Sequence, residues 1–163
     1  MNQETILSFN RLLESQSLHI AFAESITAGL LSATVASISG ASSVLKGGVV
    51  CYDKALKIKL LGVRKETLDL YGAESPETTL EMAAGLAALL PEAQIAVAIT
   101  GSASDPVNGY SMSAPVGSVF LCVGLRGNFH SYNNQFSGNR AEVLDWAVQF
   151  AFSTITNLLQ KQV

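Results

Sequence analysis

The chain has 163 residues, 48% of them hydrophobic and 14% charged, with a formal net charge of −3. A chain of that length is expected to fold as one domain over residues 1–163, with enough apolar content to bury a full core. The absence of a basic excess argues against a nucleic-acid partner, and no apolar run approaches the roughly 18–20 residues that a bilayer-spanning helix needs.

From the N-terminus, Ile6, Phe9, Leu12 and Leu13 recur at helical spacing, so residues 3–15 are expected to form an amphipathic helix. The polar start "MNQETILSFNRLLESQ" does not read as a secretory signal, which gives a cytoplasmic expectation. Residues 18–23 read as a short buried strand and 26–38 as an alanine-rich helix able to pack closely on a sheet. The joint between them, Glu24-Ser25-Ile26-Thr27, is abruptly polar. Such a joint is either a helix cap supplied by Ser25 or a binding site, and the stretch alone leaves both open.

"GGVVCY" (47–52) reads as a strand opened by two glycines, and 53–62 as a short helix stopped by Gly62. One or two helical turns follow. Ser75-Pro76-Glu77 then carries an N-cap, a first-turn proline and an acid at the positive dipole end, so a helix should run from there to about Leu90. "QIAVAIT" (94–100) and "VGSVFLCVGL" (116–125) are buried strands, and Arg126-Gly127 turns the second into 128–136. A long helix over roughly 140–161 ends the pattern. Helices alternating with buried strands predict a layered α/β sandwich, and the hairpin predicts a mixed, mostly parallel sheet. Residues 101–115, "GSASDPVNGYSMSAP", form a long Gly/Ser/Asp/Pro segment between two strands, a length typical of binding loops or lids.

Three apolar strands end in small polar residues: Glu24 to Thr27, Tyr52-Asp53-Lys54, and Thr100-Gly101-Ser102. Ligands of layered α/β proteins gather at the carboxyl ends of strands, so these ends are expected to share one cleft. Cys51 and Cys122 lie inside apolar runs and His19 and His130 stand apart, so neither a metal site nor a cofactor is expected.

The ordered set of motifs resembles the CinA C-terminal domain family, the nicotinamide-nucleotide amidohydrolases. It comprises Glu24-Ser25-Ile26-Thr27-Ala28-Gly29, Gly40-Ala41-Ser42, Gly47-Gly48-Val49-Val50-Cys51-Tyr52 and Leu60-Leu61-Gly62-Val63. These are followed by Gly72-Ala73-Glu74-Ser75, Thr100-Gly101-Ser102-Ala103-Ser104, Pro115-Val116-Gly117-Ser118-Val119 and Gly138-Asn139-Arg140. The resemblance implies an α/β/α sandwich that hydrolyses the carboxamide of nicotinamide mononucleotide to nicotinate mononucleotide and ammonia. It implies Ser25, Ser42, Tyr52, Lys57 and Thr100 as catalytic positions. Thr27, Gly29, Gly47, Gly48, Gly101 and Arg140 become substrate-binding positions.

An unactivated amide needs a nucleophile, a proton carrier and oxyanion donors. Ser25 or Ser42 supplies the first, Lys57 with Tyr52 the second, and Thr100 with nearby amides the third, while Arg140 suits a phosphate. The expected partners are the small nucleotide substrate and further copies of the chain, as a dimer or higher oligomer. Ala28, Ala41, Ser104, Ala114 and Asn139 depart from the family pattern. They raise an alternative, a weak or inactive paralogue that binds a nucleotide-like ligand on the same scaffold.

Overall fold

The computed structural model describes residues 1–105 and 111–161. The chain runs α1 (Gln3–Ser15), β1 (Ile20–Glu24), α2 (Leu30–Ala36), a 3-10 turn (Ala41–Ser43), β2 (Leu45–Val50), α3 (Lys54–Leu61), α4 (Lys65–Tyr71), α5 (Pro76–Leu89), β3 (Ile95–Gly101), β4 (Ser118–Leu125), β5 (Asn128–Gln135) and α6 (Arg140–Gln160). The strands form one sheet in the order β2-β1-β3-β4-β5. β1 pairs parallel with β2 and β3, and β4 runs antiparallel to both β3 and β5. Four of the five strands therefore point the same way.

Large and small side chains alternate along the central strands, and this sorts the layers. Ile20, Phe22, Ile95, Val97 and Ile99 point to one face, where they pack with Phe9, Leu13, Leu31, Val35 and the buried stripe of α6. Ala21, Ala23, Ala96 and Ala98 point to the other, against Leu61, Leu68, Met82, Ala83 and Leu86. Small strand residues let α3, α4 and α5 sit close. Gly85 carries this further, because a Cβ built there would lie 1.8 Å from the Leu61 carbonyl oxygen. The result is the three-layer α/β/α sandwich with a mixed sheet.

Helix starts follow local chemistry. Ser75 accepts from the Thr78 amide ahead of Pro76, and Asn139 and Glu142 form a reciprocal capping box at the start of α6. α2 departs from expectation: it starts at Leu30, not at residue 26. Ala28 (φ 49°) and Gly29 (φ 104°) turn the chain in the left-handed region, so the 25–29 segment is a turn before it becomes a helix. Of the 101–115 loop, residues 106–110 lie outside the described residues. No helix among the described residues is long and apolar enough to cross a membrane.

Candidate active site

The polar joint after β1 resolves through strand periodicity. Glu24 continues the Ile20/Phe22 face and Ser25 falls on the opposite one. Glu24 is fully buried beneath α2 and accepts five hydrogen bonds. These come from the Thr27 hydroxyl (2.7 Å), the Gly29 amide (3.0 Å), the Leu31 amide (3.0 Å), the Ser32 amide (2.9 Å) and the Ser32 hydroxyl (2.7 Å). A carboxylate from the preceding strand thus supplies the cap that Ser25 was a candidate to supply. Ser25 is released toward α3.

There it meets Lys57. Lys57 and Leu61 form the buried side of α3 one turn apart, and a helical lysine leans back toward the N-terminus of its helix. That lean brings Nζ under the end of β2, 2.8 Å from Ser25 Oγ, 2.6 Å from the Cys51 carbonyl oxygen and 3.5 Å from that of Tyr52. Lys57 has no exposed surface and Ser25 keeps 8% of its own. Burial pushes the Lys57 ammonium below the ordinary lysine value of 10.5, and the nearby Cys51, Glu74 and Asp53 only partly offset it. Burial likewise pushes the Cys51 thiol up.

Above this pair opens a cleft of about 530 Å³, lined by Ser25, Ile26, Tyr52, Asp53, Lys54, Glu74, Gly101 to Asp105, Met112 and Arg140. Parallel β1, β2 and β3 end there, and β5, which points the same way, leads into α6 and delivers Arg140 to the same edge. Arg140 reaches across the mouth, donating to Ser104 Oγ (3.2 Å) and to Tyr52 Oη (3.4 Å). Arg140 thus holds two hydroxyl groups at the mouth. The loop is pinned on its return by Ser113, whose hydroxyl and amide both donate to Glu74 Oε2 (2.6 and 3.1 Å).

The structure therefore brings together Ser25, Tyr52, Lys57, Gly101 and Arg140, and it places the other expected site residues elsewhere. Ser42 lies in the turn before β2, at the amino edge of the parallel strands and across the sheet from the cleft. Thr27 is buried on Glu24, and Gly29 is the turn residue that precedes α2. Gly47 and Gly48 are strand-centre positions of β2, and a Cβ at Gly48 would sit 2.2 Å from Ser32 Oγ, so the glycine there serves helix packing. Thr100 donates to the Ala73 carbonyl (3.0 Å) and ties β3 to the segment before α5. Ser102 lines the cleft as its strand end predicts, whereas Ser104 and Met112 line it without having been expected as contacts. Loop closure assembles them, and no local periodicity announces it.

A layered α/β domain with a buried serine–lysine pair under a cleft at the carboxyl edge of its sheet is the class of protein that fold and site define. The family model of the CinA C-terminal domain matches residues 2–159, and the chain belongs to that family. It is 41% identical to a CinA-like protein of Petrotoga mobilis over 96% of this chain and 38% of that protein. It is 38% identical to a CinA-like protein of Thermotoga neapolitana over 93% and 36%. The chain thus spans little more than a third of the length of these curated relatives. Among solved structures it is similar to competence damage-inducible protein A from Klebsiella pneumoniae (TM-score 0.89, 29% identity, 96% of both chains). A competence/damage inducible protein from Agrobacterium tumefaciens is similar too (TM-score 0.85, 33% identity, 95% of this chain and 93% of that one).

Proposed function

We propose that this domain hydrolyses the carboxamide of nicotinamide mononucleotide, with Ser25 as nucleophile and Lys57 as its base. The observation that carries the reading is the 2.8 Å contact between Ser25 Oγ and a fully buried Lys57 Nζ. In the neutral form, the two amine hydrogens can donate to the carbonyls of Cys51 and Tyr52, and the lone pair then faces the serine hydroxyl.

The serine oxygen attacks the carboxamide carbon as its proton passes to Lys57. The amides of Ser25, Ala28 and Gly29 are already committed, so the resulting oxyanion falls to those of Ile26 and Thr27. Lys57 returns the proton to the departing nitrogen, and the C–N bond breaks to release ammonia and leave an ester on Ser25. Water then attacks that ester, with Lys57 again taking the proton and passing it to the departing Ser25 oxygen, so nicotinate mononucleotide leaves and Ser25 is restored. The cleft volume suits a mononucleotide. Arg140, Tyr52 and Ser104 grip the phosphate at the mouth, while Glu74 and Asp105 face the cationic pyridinium ring.

Of the family departures, Ala28 is solvent-exposed, Ala41 lies at the far edge and Asn139 caps α6, so none of these three touches the cleft. Ser104 is the departure that lines it, and it adds a hydroxyl beside Arg140. These placements favour turnover over a binding-only paralogue. The test is ammonia release from nicotinamide mononucleotide by wild type and by Lys57→Met. The reading predicts turnover in the first and at least a hundredfold loss in the second, in the range usual for a lost general base. A wild-type protein whose melting temperature the ligand raises, but which releases no ammonia, would establish the binding-only alternative instead.

A further inference from the structure

Ser25, Tyr52 and Ser104 turn their hydroxyls to basic side chains in the cleft: Ser25 meets Lys57, and Tyr52 and Ser104 accept from Arg140. Ser102 is different. Its hydroxyl donates to the Met112 thioether at 2.8 Å, and a thioether is a weak acceptor. A hydroxyl carries one hydrogen and two lone pairs, so this contact fixes the direction of the O–H bond and leaves the oxygen able to accept. Buried hydroxyls are ordinarily matched with strong partners. The weak match at Ser102 points toward the cleft.

Ser102 is also held firmly. It is 3% exposed, yet it lines the cleft. Its amide donates to the Ser118 carbonyl (2.9 Å) and its carbonyl accepts from the Gly117 amide (2.6 Å). Gly101 allows this close approach to β4, because a Cβ there would lie 2.2 Å from the same Ser118 oxygen.

The order of groups along the wall gives Ser102 its neighbourhood. The Ser25 amide donates to the Ile99 carbonyl (3.0 Å), so Ser25 stands beside the end of β3. The chain then runs outward through Ser102 to Ser104, which meets Arg140 at the mouth. Ser102 therefore lies between the nucleophile and the phosphate clamp. In nicotinamide mononucleotide the ribose is the part that joins the ring to the phosphate. With its carboxamide at Ser25 and its phosphate at Arg140, such a ligand sets its ribose alongside Ser102.

We infer that Ser102 reads the sugar. Its oxygen accepts a hydrogen bond from a ribose hydroxyl of the bound mononucleotide, while Met112 holds the serine proton and so positions that oxygen. The inference rests on the reading of the site as a mononucleotide amidase, and it adds a selectivity which that chemistry does not require, for ribonucleotides over deoxyribonucleotides. A site that accepts from a ligand hydroxyl rejects the analogue without it, because the buried acceptor then loses its partner.

Isothermal titration in a Ser25→Ala background, chosen to exclude turnover, tests this with nicotinamide mononucleotide and its 2′-deoxy and 3′-deoxy analogues. One of the two analogues should bind about tenfold more weakly than the ribonucleotide. Adding Ser102→Ala should weaken the ribonucleotide by about the same factor and leave that analogue unchanged, so that the discrimination disappears. Met112→Leu keeps the volume and removes the sulfur acceptor, and it should lower the discrimination with the melting temperature unchanged. Equal affinity for all three ligands, discrimination that survives Ser102→Ala, or discrimination that Met112→Leu leaves untouched would each overturn the inference. Wild-type ammonia release alongside any of these would leave the hydrolase reading standing. Discrimination that depends on Ser102 in a protein whose wild type releases no ammonia would keep the ribose contact and overturn hydrolysis instead. A protein that does not bind nicotinamide mononucleotide would overturn both.

Discussion

Glu24 and Lys57 are both buried ionisable residues, one on each side of β1, and their surroundings separate their roles. Glu24 meets five donors and no open space, so it organises the turn. Glu24→Gln sets an amide donor against the backbone N–H groups of Gly29 and Leu31 or of Ser32, which can only donate, and should cost about 3 kcal/mol of stability, measured by denaturant unfolding. Ala28→Gly relieves a positive φ at an exposed position and should add about 0.5–1 kcal/mol. Lys57 is lowered from 10.5 by burial. Between the lowered value and 10.5 the unfolded chain binds a proton that the folded chain has released, so this group's contribution to stability rises with pH across that window. The stability difference between wild type and Lys57→Met should grow in favour of wild type over the same window. The kcat/KM of wild type should also rise with pH to an inflection below 10.5. A flat rate profile would show that Lys57 is not the base.

At the scale of elements, the strands were legible because Ile-Ala-Phe-Ala and Ile-Ala-Val-Ala show apolar runs short enough for strands, and the helix starts because Ser75-Pro76 and the Gly62 stop act locally. The start of α2 was not legible, because its cap comes from a strand residue whose reach depends on tertiary placement. Nor was the position of Ser42, since only the direction of β2 decides which edge of the sheet it occupies. Thr100 looks in the sequence like a polar strand end, yet its hydroxyl is committed to Ala73. Packing between elements makes its own prediction. Gly85→Ala gains about 1 kcal/mol of helix propensity. However, it forces a methyl against the Leu61 backbone, which cannot rotate away as a side chain would, at a cost of up to about 3 kcal/mol. Thermal melts should show a net loss of stability.

At the scale of the molecule, the cleft depends on four strand ends and two loops converging on one edge of the sheet, and Arg140 closes it from the start of α6. Arg140→Ala should weaken binding of a phosphate-bearing ligand roughly tenfold or more while leaving the fold intact, as read by isothermal titration. Unchanged affinity would move the phosphate elsewhere. The central claim is that Ser25, activated by Lys57, forms a covalent ester. Intact-protein mass spectrometry after rapid acid quench of the protein turning over nicotinamide mononucleotide tests it most directly. The predicted result is an acyl adduct that maps to the peptide containing Ser25 and is absent in Ser25→Ala, which releases no ammonia. Ammonia release by Ser25→Ala at the wild-type rate, with no adduct in either protein, would contradict it.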